Sequence, residues 1–245
     1  MKTIVIIPAR FSSTRFEGKP LAAINKKPMI QHVYERSQNA SKVDDVIVAT
    51  DDQRIADAVN DFGGKAVMTS DKNRSGTDRI AEAAEKIGLD MEDIIINVQG
   101  DQPLMDPRCL DQLVQPFHSE PGIEMSTLAF KIVREKEITD PKDVKVTFDN
   151  RMYALYFSRA SIPLARDPAA RHDTFKHLGF YAYTRNFLEI FRKLDLGTLE
   201  AVEKLEQLRA LEHGYRIKVV VTPYDSPEVD LPEDISRIER LMGSV

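Results

Sequence analysis

Apolar positions fall along this chain in two successive patterns. Residues 3–7 (TIVII) form a continuous β-branched run, and residues 28–40 place Met29, Ile30, Val33 and Tyr34 at helical spacing. Residues 45–50 (DVIVAT) repeat the buried-strand signature and lead into a helical stretch over 53–62, ended by Gly63-Gly64. The spacing then predicts a short strand over 65–69 and a fourth buried strand over 94–98. Between them it predicts a helix over 77–87, carrying Ile80, Ala83, Ala84 and Ile87 and closed by Gly88. Unbroken apolar strands are buried on both faces, and strands alternating with helices build right-handed parallel βαβ units.

Beyond about residue 120 the pattern changes to closely spaced strand-like runs at 125–132, 143–149, 152–158 and 178–184, with a turn at Asp149-Asn150. Their alternation predicts antiparallel strands on or beside the first sheet. Leu199, Val202, Leu205, Leu208 and Leu211 predict one amphipathic helix ended by Gly214. A last strand over 217–221 leads through Asp230 to a helix over 232–242 with Pro232 at its start. The expected fold class is α/β: a mostly parallel, Rossmann-like sheet with an inserted antiparallel β subdomain. The expected organisation is a single domain over residues 1–245, with the β-rich insertion at about 125–185.

Composition narrows the functional classes. The 245 residues, 42% hydrophobic and 30% charged, suffice for a full core. A net charge of −5 argues against nucleic acid as the partner. Cys109 is the single cysteine, which excludes an intrachain disulfide and a cysteine metal cluster. No apolar run reaches membrane length, and Pro8 and Arg10 interrupt the first run too soon for a signal peptide. A cytoplasmic chain without membrane insertion is expected.

Against this acidic background, residues 8–20 (PARFSSTRFEGKP) carry Arg10, Arg15 and Lys19 among Ser12, Ser13, Thr14 and Gly18. Ligands of open parallel sheets sit beyond the carboxyl ends of the strands, so a loop directly after the first strand is placed to hold an anion. Small residues let backbone N–H groups point inward, and three cations suit a triphosphate. A solvated loop with scattered charge weighs equally on the loop alone. The stretch matches neither the Walker A pattern nor the Gly-x-Gly-x-x-Gly fingerprint. A second anion or base-edge candidate is Arg74-Ser75-Gly76-Thr77-Asp78-Arg79 at a helix start, for which plain capping is the simpler reading in isolation.

Asp101 directly follows a buried strand, and Asp230 follows the last one. If both strand ends face one cleft, the two carboxylates can share Mg²⁺, which takes a few hard oxygens plus substrate phosphates. A turn or helix-cap aspartate is the structural alternative for each, and it suits Asp230 better than Asp101. No side chain stands out as a general base.

The motifs Pro8-Ala9-Arg10, Ser13-Thr14-Arg15, Gly18-Lys19-Pro20-Leu21, Ser75-Gly76-Thr77-Asp78-Arg79 and Asn97-Val98-Gln99-Gly100-Asp101 recur in order with Lys176-His177-Leu178-Gly179, Leu205-Glu206-Gln207-Leu208-Arg209 and Val229-Asp230. Together with residues 153–159 (YALYFSR) and Pro232-Glu233-Asp234, they span nearly the whole chain. In this set the chain resembles the 3-deoxy-manno-octulosonate (KDO) cytidylyltransferases. The resemblance implies a nucleotide-diphospho-sugar transferase-like fold, a homodimer with a contact loop at 158–163, and Mg²⁺. It also implies conversion of CTP and a 3-deoxy ulosonic acid into CMP-sugar and pyrophosphate for lipopolysaccharide synthesis. Carried over by position, Arg10, Arg15 and Lys19 hold the triphosphate, with Ser13 among the binding residues. Ser75, Gly76, Thr77 and Arg79 meet the cytidine and part of the sugar, while Gln99, His177 and Glu206 line the sugar pocket with Arg79. Asp101 and Asp230 bind the metal; with Arg15 and Lys19 they form the catalytic set.

One departure stands out. The usual family pattern is Gly-Asp-Glu-Pro where this chain has Gly100-Asp101-Gln102-Pro103, which removes a carboxylate beside the metal site. A branch that takes the 8-amino-3,8-dideoxy sugar looks similar here, the Gln included. Breadth of resemblance favours KDO. From a different class, a non-catalytic nucleotide-binding protein would need the basic loop but not the paired acids.

Overall fold

The computed structural model describes residues 1–12, 15–167 and 169–243. Strand β1 is Thr3–Ala9, followed by the short pair β2 (Ala23–Ile24) and β3 (Lys27–Pro28), then β4 (Asp45–Thr50), β5 (Ala66–Met68) and β6 (Ile94–Asn97). The later strands are β7 (Met125–Lys131), β8 (Lys145–Phe148), β9 (Ala154–Ser158), β10 (Phe175–Thr184) and β11 (Lys218–Thr222). The main sheet runs β11-β7-β10-β6-β1-β4-β5, with β8 joined to β10 and β9 to β8; β2 and β3 form a separate two-stranded sheet. Strand β1 pairs in parallel with β4 and β6, β4 with β5, and β7 with β11. Strand β10 is antiparallel to both β6 and β7. All other strands on the path therefore run one way, and their carboxyl ends share one edge. Of the stretch expected as an insertion, β7 and β10 lie in the path of the main sheet, and β8 and β9 extend from the first half of β10.

The unbroken apolar runs are explained by burial on both faces. Ile4 and Ile6 of β1, Ile47 and Ala49 of β4 and Ile95 of β6 belong to one core cluster, with Ile80, Ala83 and Ala84 of helix α3. The alternate residues Val5, Ile7, Val46, Val48, Ile94 and Ile96 belong to the cluster on the other face. The helices in chain order are α1 (Met29–Gln38), α2 (Gln53–Asp61), α3 (Gly76–Lys86), α4 (Arg108–Ser119), α5 (Lys136–Thr139), α6 (Arg185–Phe191), α7 (Thr198–Glu203), α8 (Leu208–Glu212) and α9 (Asp234–Met242). Helix α4 is not predicted by the pattern; Pro116 in its last turn masks the helical signal.

The single helix expected across 199–211 is instead two short ones. Lys204 takes a left-handed conformation at φ 55°, which stops α7, and α8 starts again at Leu208. A buried ion pair ties the two pieces together, Arg209 Nε and Nη2 reaching Glu200 at 2.7 and 2.6 Å. The break lets Leu205 and Leu208 enter the core while Val202 stays 76% exposed.

A third, small cluster matters most for the site. Ile24, Met29, Val229 and Ile238 are buried together, with Phe16, Leu104 and Ile235 packed against them. It clamps the segment after β11 to the loop after β1.

Candidate active site

The first wall of the site is the loop after β1. Gly18 N donates to Phe11 O at 2.9 Å, folding the loop back on itself. Gly18 sits at φ 68°, which favours glycine, and a Cβ there would also crowd the Phe11 ring at 3.1 Å. This turn sends Lys19 inward to the end of β6. Its Nζ lies 2.6 Å from Asp101 Oδ2 and donates to Val229 O at 2.9 Å. Arg15 Nη1 lies 3.1 Å from Asp230 Oδ1. Val229 N donates to Asp101 O at 2.9 Å. The two acids, 129 positions apart in sequence, are thus neighbours, each joined to a cation of the opening loop. Asp101 Oδ1 is buried and, among the described residues, has no hydrogen-bond partner. Ser13 lies outside the described residues.

The second wall is the start of α3. Ser75 caps it by accepting from Asp78 N at 3.1 Å. A Cβ on Gly76 would touch Pro8 Cγ at 3.4 Å, so the helix start approaches the end of β1 closely. A cleft of about 630 Å³ opens here, lined by Arg10, Asp51, Ser75, Gly76, Arg79 and Gln99 among others. Arg79 is buried and bonded to Thr69 Oγ1 at 2.6 Å and Asp51 Oδ2 at 2.7 Å. Thr77 faces away from the cleft and donates to Glu206 Oε2 at 2.6 Å. Burial pushes the Glu206 carboxyl up against the pull of Thr77, Ser75 and Arg209. Gln99 Nε2 donates to Asn97 Oδ1 at 3.1 Å.

The third wall is the irregular stretch of β10. His177 lies in a separate cavity of about 330 Å³ that also reaches Glu228 and Asp230. Its ring is enclosed by Phe157 and Tyr181, with centroids 5.1 and 5.2 Å away. Thr127 donates its one hydroxyl proton to Phe180 O at 2.6 Å, so it accepts from His177 Nε2 at 2.8 Å, which assigns the proton to Nε2. Burial lowers the His177 pKa to about 3. The folded value lies below the ordinary one near 6.5, so the stabilisation is present above about pH 6.5 and fades as pH falls towards 3. Melting temperatures of the wild type should therefore drop on acidification more steeply than those of His177→Gln; parallel slopes would reject this cause.

The expected sugar residues do not line a single cavity. Arg79 and Gln99 face the large cleft, His177 the smaller cavity, and Glu206 a neighbouring depression beside Arg74 and Arg209. The large cleft and the depression share Arg74 and Ser75, whereas the His177 cavity shares no lining residue with either. Sequence reasoning missed Asp51 and Glu228. Asp51 follows a buried parallel strand just as Asp101 does, so the same strand-end argument reaches it. Glu228 gives no local signal: burial and the charge of Asp101 push it up to about 7, against a hydrogen bond from Gln102. Among the described residues, no group of three or more His, Cys, Asp or Glu is set to hold a metal.

A basic loop opposed to two acids at the carboxyl edge of a mostly parallel α/β sheet suits a nucleotide-handling enzyme, and the comparisons with known proteins make its class a nucleotidyltransferase. Residues 4–217 match the cytidylyltransferase family model, and the chain belongs to that family. It is 64% identical over 242 residues to a 3-deoxy-manno-octulosonate cytidylyltransferase from Desulfatibacillum aliphaticivorans, covering 99% of each chain. An 8-amino-3,8-dideoxy-manno-octulosonate cytidylyltransferase from Shewanella amazonensis is 58% identical, with 98% of each covered. The solved CMP:2-keto-3-deoxy-manno-octonic acid synthetase complexed with CTP superimposes with a TM-score of 0.94 at 42% identity, covering 100% of this chain and 99% of the other.

Proposed function

We propose that this chain transfers CMP from CTP to a 3-deoxy ulosonic acid, KDO, releasing pyrophosphate and supplying CMP-KDO for lipopolysaccharide synthesis. The observation that carries the reading is the meeting of Lys19 with Asp101 at 2.6 Å and of Arg15 with Asp230 at 3.1 Å. Identity of 64% and 60% to two KDO cytidylyltransferases favours KDO over the 8-amino sugar.

Each wall then has a task. Arg10, Arg15 and Lys19 bind the triphosphate and stabilise the charge that grows on the departing pyrophosphate. Ser75, Gly76 and Arg79 receive the cytidine, where the capped start of an eleven-residue helix presents backbone N–H groups. Gln99 in the large cleft borders the sugar directly, with His177 and Glu206 approaching it from neighbouring cavities, and the anomeric hydroxyl is oriented towards the α-phosphorus, so positioning and electrostatics carry the rate. His177, neutral and fixed in one tautomer, offers shape and not charge.

Asp101 and Asp230 would hold Mg²⁺. Both are hard oxygen donors, and the buried Asp101 Oδ1, which has no partner among the described residues, is the atom such an ion would satisfy. When bound, the ion supplies Lewis-acid polarisation of the phosphate and acidifies an attached hydroxyl. Homodimerisation belongs to the same reading: Leu155 and Leu164, 63% and 85% exposed, flank the loop 158–163 and suit a contact between two copies. The reaction would take place in the cytoplasm, where CTP is available; no helix among the described residues is long and apolar enough to cross a membrane.

The test measures pyrophosphate release with KDO and with its 8-amino analogue, each against CTP, UTP and ATP. Release with KDO and CTP is expected. A faster reaction with the 8-amino analogue would reassign the sugar, and no release with either would refute the reading.

A further inference from the structure

Gln102 is completely buried directly beside Asp101, and every polar atom of its side chain is in use. Its Nε2 donates to Leu178 O at 2.8 Å and to Glu228 Oε1 at 2.9 Å, while its Oε1 accepts from Ser226 Oγ at 3.2 Å. One amide therefore joins three segments: the loop after β6 that carries Asp101, the irregular stretch of β10 next to His177, and the loop that returns from β11 to Asp230. That return is long. Strand β11 lies beyond β7 and β10 in the sheet, so residues 223–230 must cross both to bring Asp230 to the end of β6. Within this loop, Val229 is buried in the small apolar cluster while its neighbours Glu228 and Asp230 both line the cavity that reaches His177. The charges that bear on Glu228 are Asp101, Asp230 and Lys19.

We propose that Gln102 and Glu228 are a positioning pair, in which a buried amide holds a single buried carboxylate so that the returning loop sets Asp230 against Asp101. The pair tolerates one negative charge only. A Glu at position 102 would face Glu228 at hydrogen-bond distance, where two buried carboxyls are kept only by sharing a proton, and Leu178 O would lose its donor. A Gln at position 228 would keep a hydrogen bond from Gln102 but replace the carboxyl group that lines the cavity beside Asp230. Exchanging both residues restores one amide and one carboxylate in contact.

This inference rests on the proposed cytidylyl transfer and can be tested separately from it. Gln102→Glu, Glu228→Gln and the double variant are compared by thermal melting and by kcat and KM for CTP. Gln102→Glu should melt lower and turn over at least about tenfold slower, with the loss in kcat. Glu228→Gln should melt no lower than wild type yet lose about tenfold in kcat with little change in KM, a split that a purely structural role would not produce. The double variant should regain kcat and part of the lost melting temperature, Leu178 O still lacking its donor, with a coupling of about fivefold or more between the two substitutions. A smaller coupling, or a Glu228→Gln enzyme with wild-type kcat, overturns the pair. If the wild-type chain itself releases no pyrophosphate, the assigned reaction fails, and the melting temperatures of the three variants alone then decide whether the pair is coupled.

Discussion

Asp101→Asn should abolish turnover while leaving the fold standing. The contact that ties Asp101 to the returning loop is made by its main chain, Val229 N to Asp101 O at 2.9 Å, and survives the substitution. The side chain is isosteric, and its environment is only partly buried, with 24% of the carboxyl side chain exposed. What disappears is the charge, and with it the counter-ion of Lys19 and one of the two hard oxygen donors of the acidic pair. Loss of an anionic metal ligand together with the charge that holds Lys19 in place gives an expected decrease of about 10³-fold or more. Pyrophosphate release measured beside a melting curve checks it. A rate within tenfold of wild type, with the fold intact, would defeat the assignment.

Lys19→Met should cost about 10² to 10³ in kcat/KM for CTP. Methionine keeps the apolar stem but removes the ammonium that donates to both Asp101 and Val229 O. Two effects then act together. The leaving pyrophosphate loses its most enclosed cation, since Lys19 is 17% exposed and Arg15 65%. Asp101 is also left without the charge that balances it beside Glu228 and Asp230. The sugar should be bound nearly as before, because His177 and Glu206 sit on other walls. Steady-state kinetics in each substrate separates the cases: a KM and kcat for CTP like those of wild type would remove Lys19 from phosphate binding.

Much of the site was legible before any coordinates. A continuous apolar run is a strand buried on both faces, and the residues just past such runs, Arg10, Gln99 and Asp101, stand at the ligand edge of a parallel sheet. Asp51 was available to the same argument. The helix start at Ser75 was legible because a cap and a neighbouring glycine are local chemistry. Elsewhere local pattern misleads. The leucines from 199 to 211 keep helical spacing, yet the left-handed turn at Lys204 divides the helix, because burying Leu205 and Leu208 and pairing Arg209 with Glu200 outweighs continuing it. His177 and Glu206 carry no local signal at all; a histidine beside an aromatic strand or a glutamate beside a leucine stripe is ordinary in either role.

The amino-acid sequence by itself determined which of the longer segments are strands, which of their ends bear charge, and that a basic loop follows the first of them. Only the tertiary structure decided that Asp230 reaches Asp101, that Arg15 and Lys19 divide between them, and that Gln102 holds Glu228. Strand order in β11-β7-β10-β6-β1 depends on how both faces of the sheet pack against helices distant in sequence, and periodicity along one stretch of chain contains no information about that pairing.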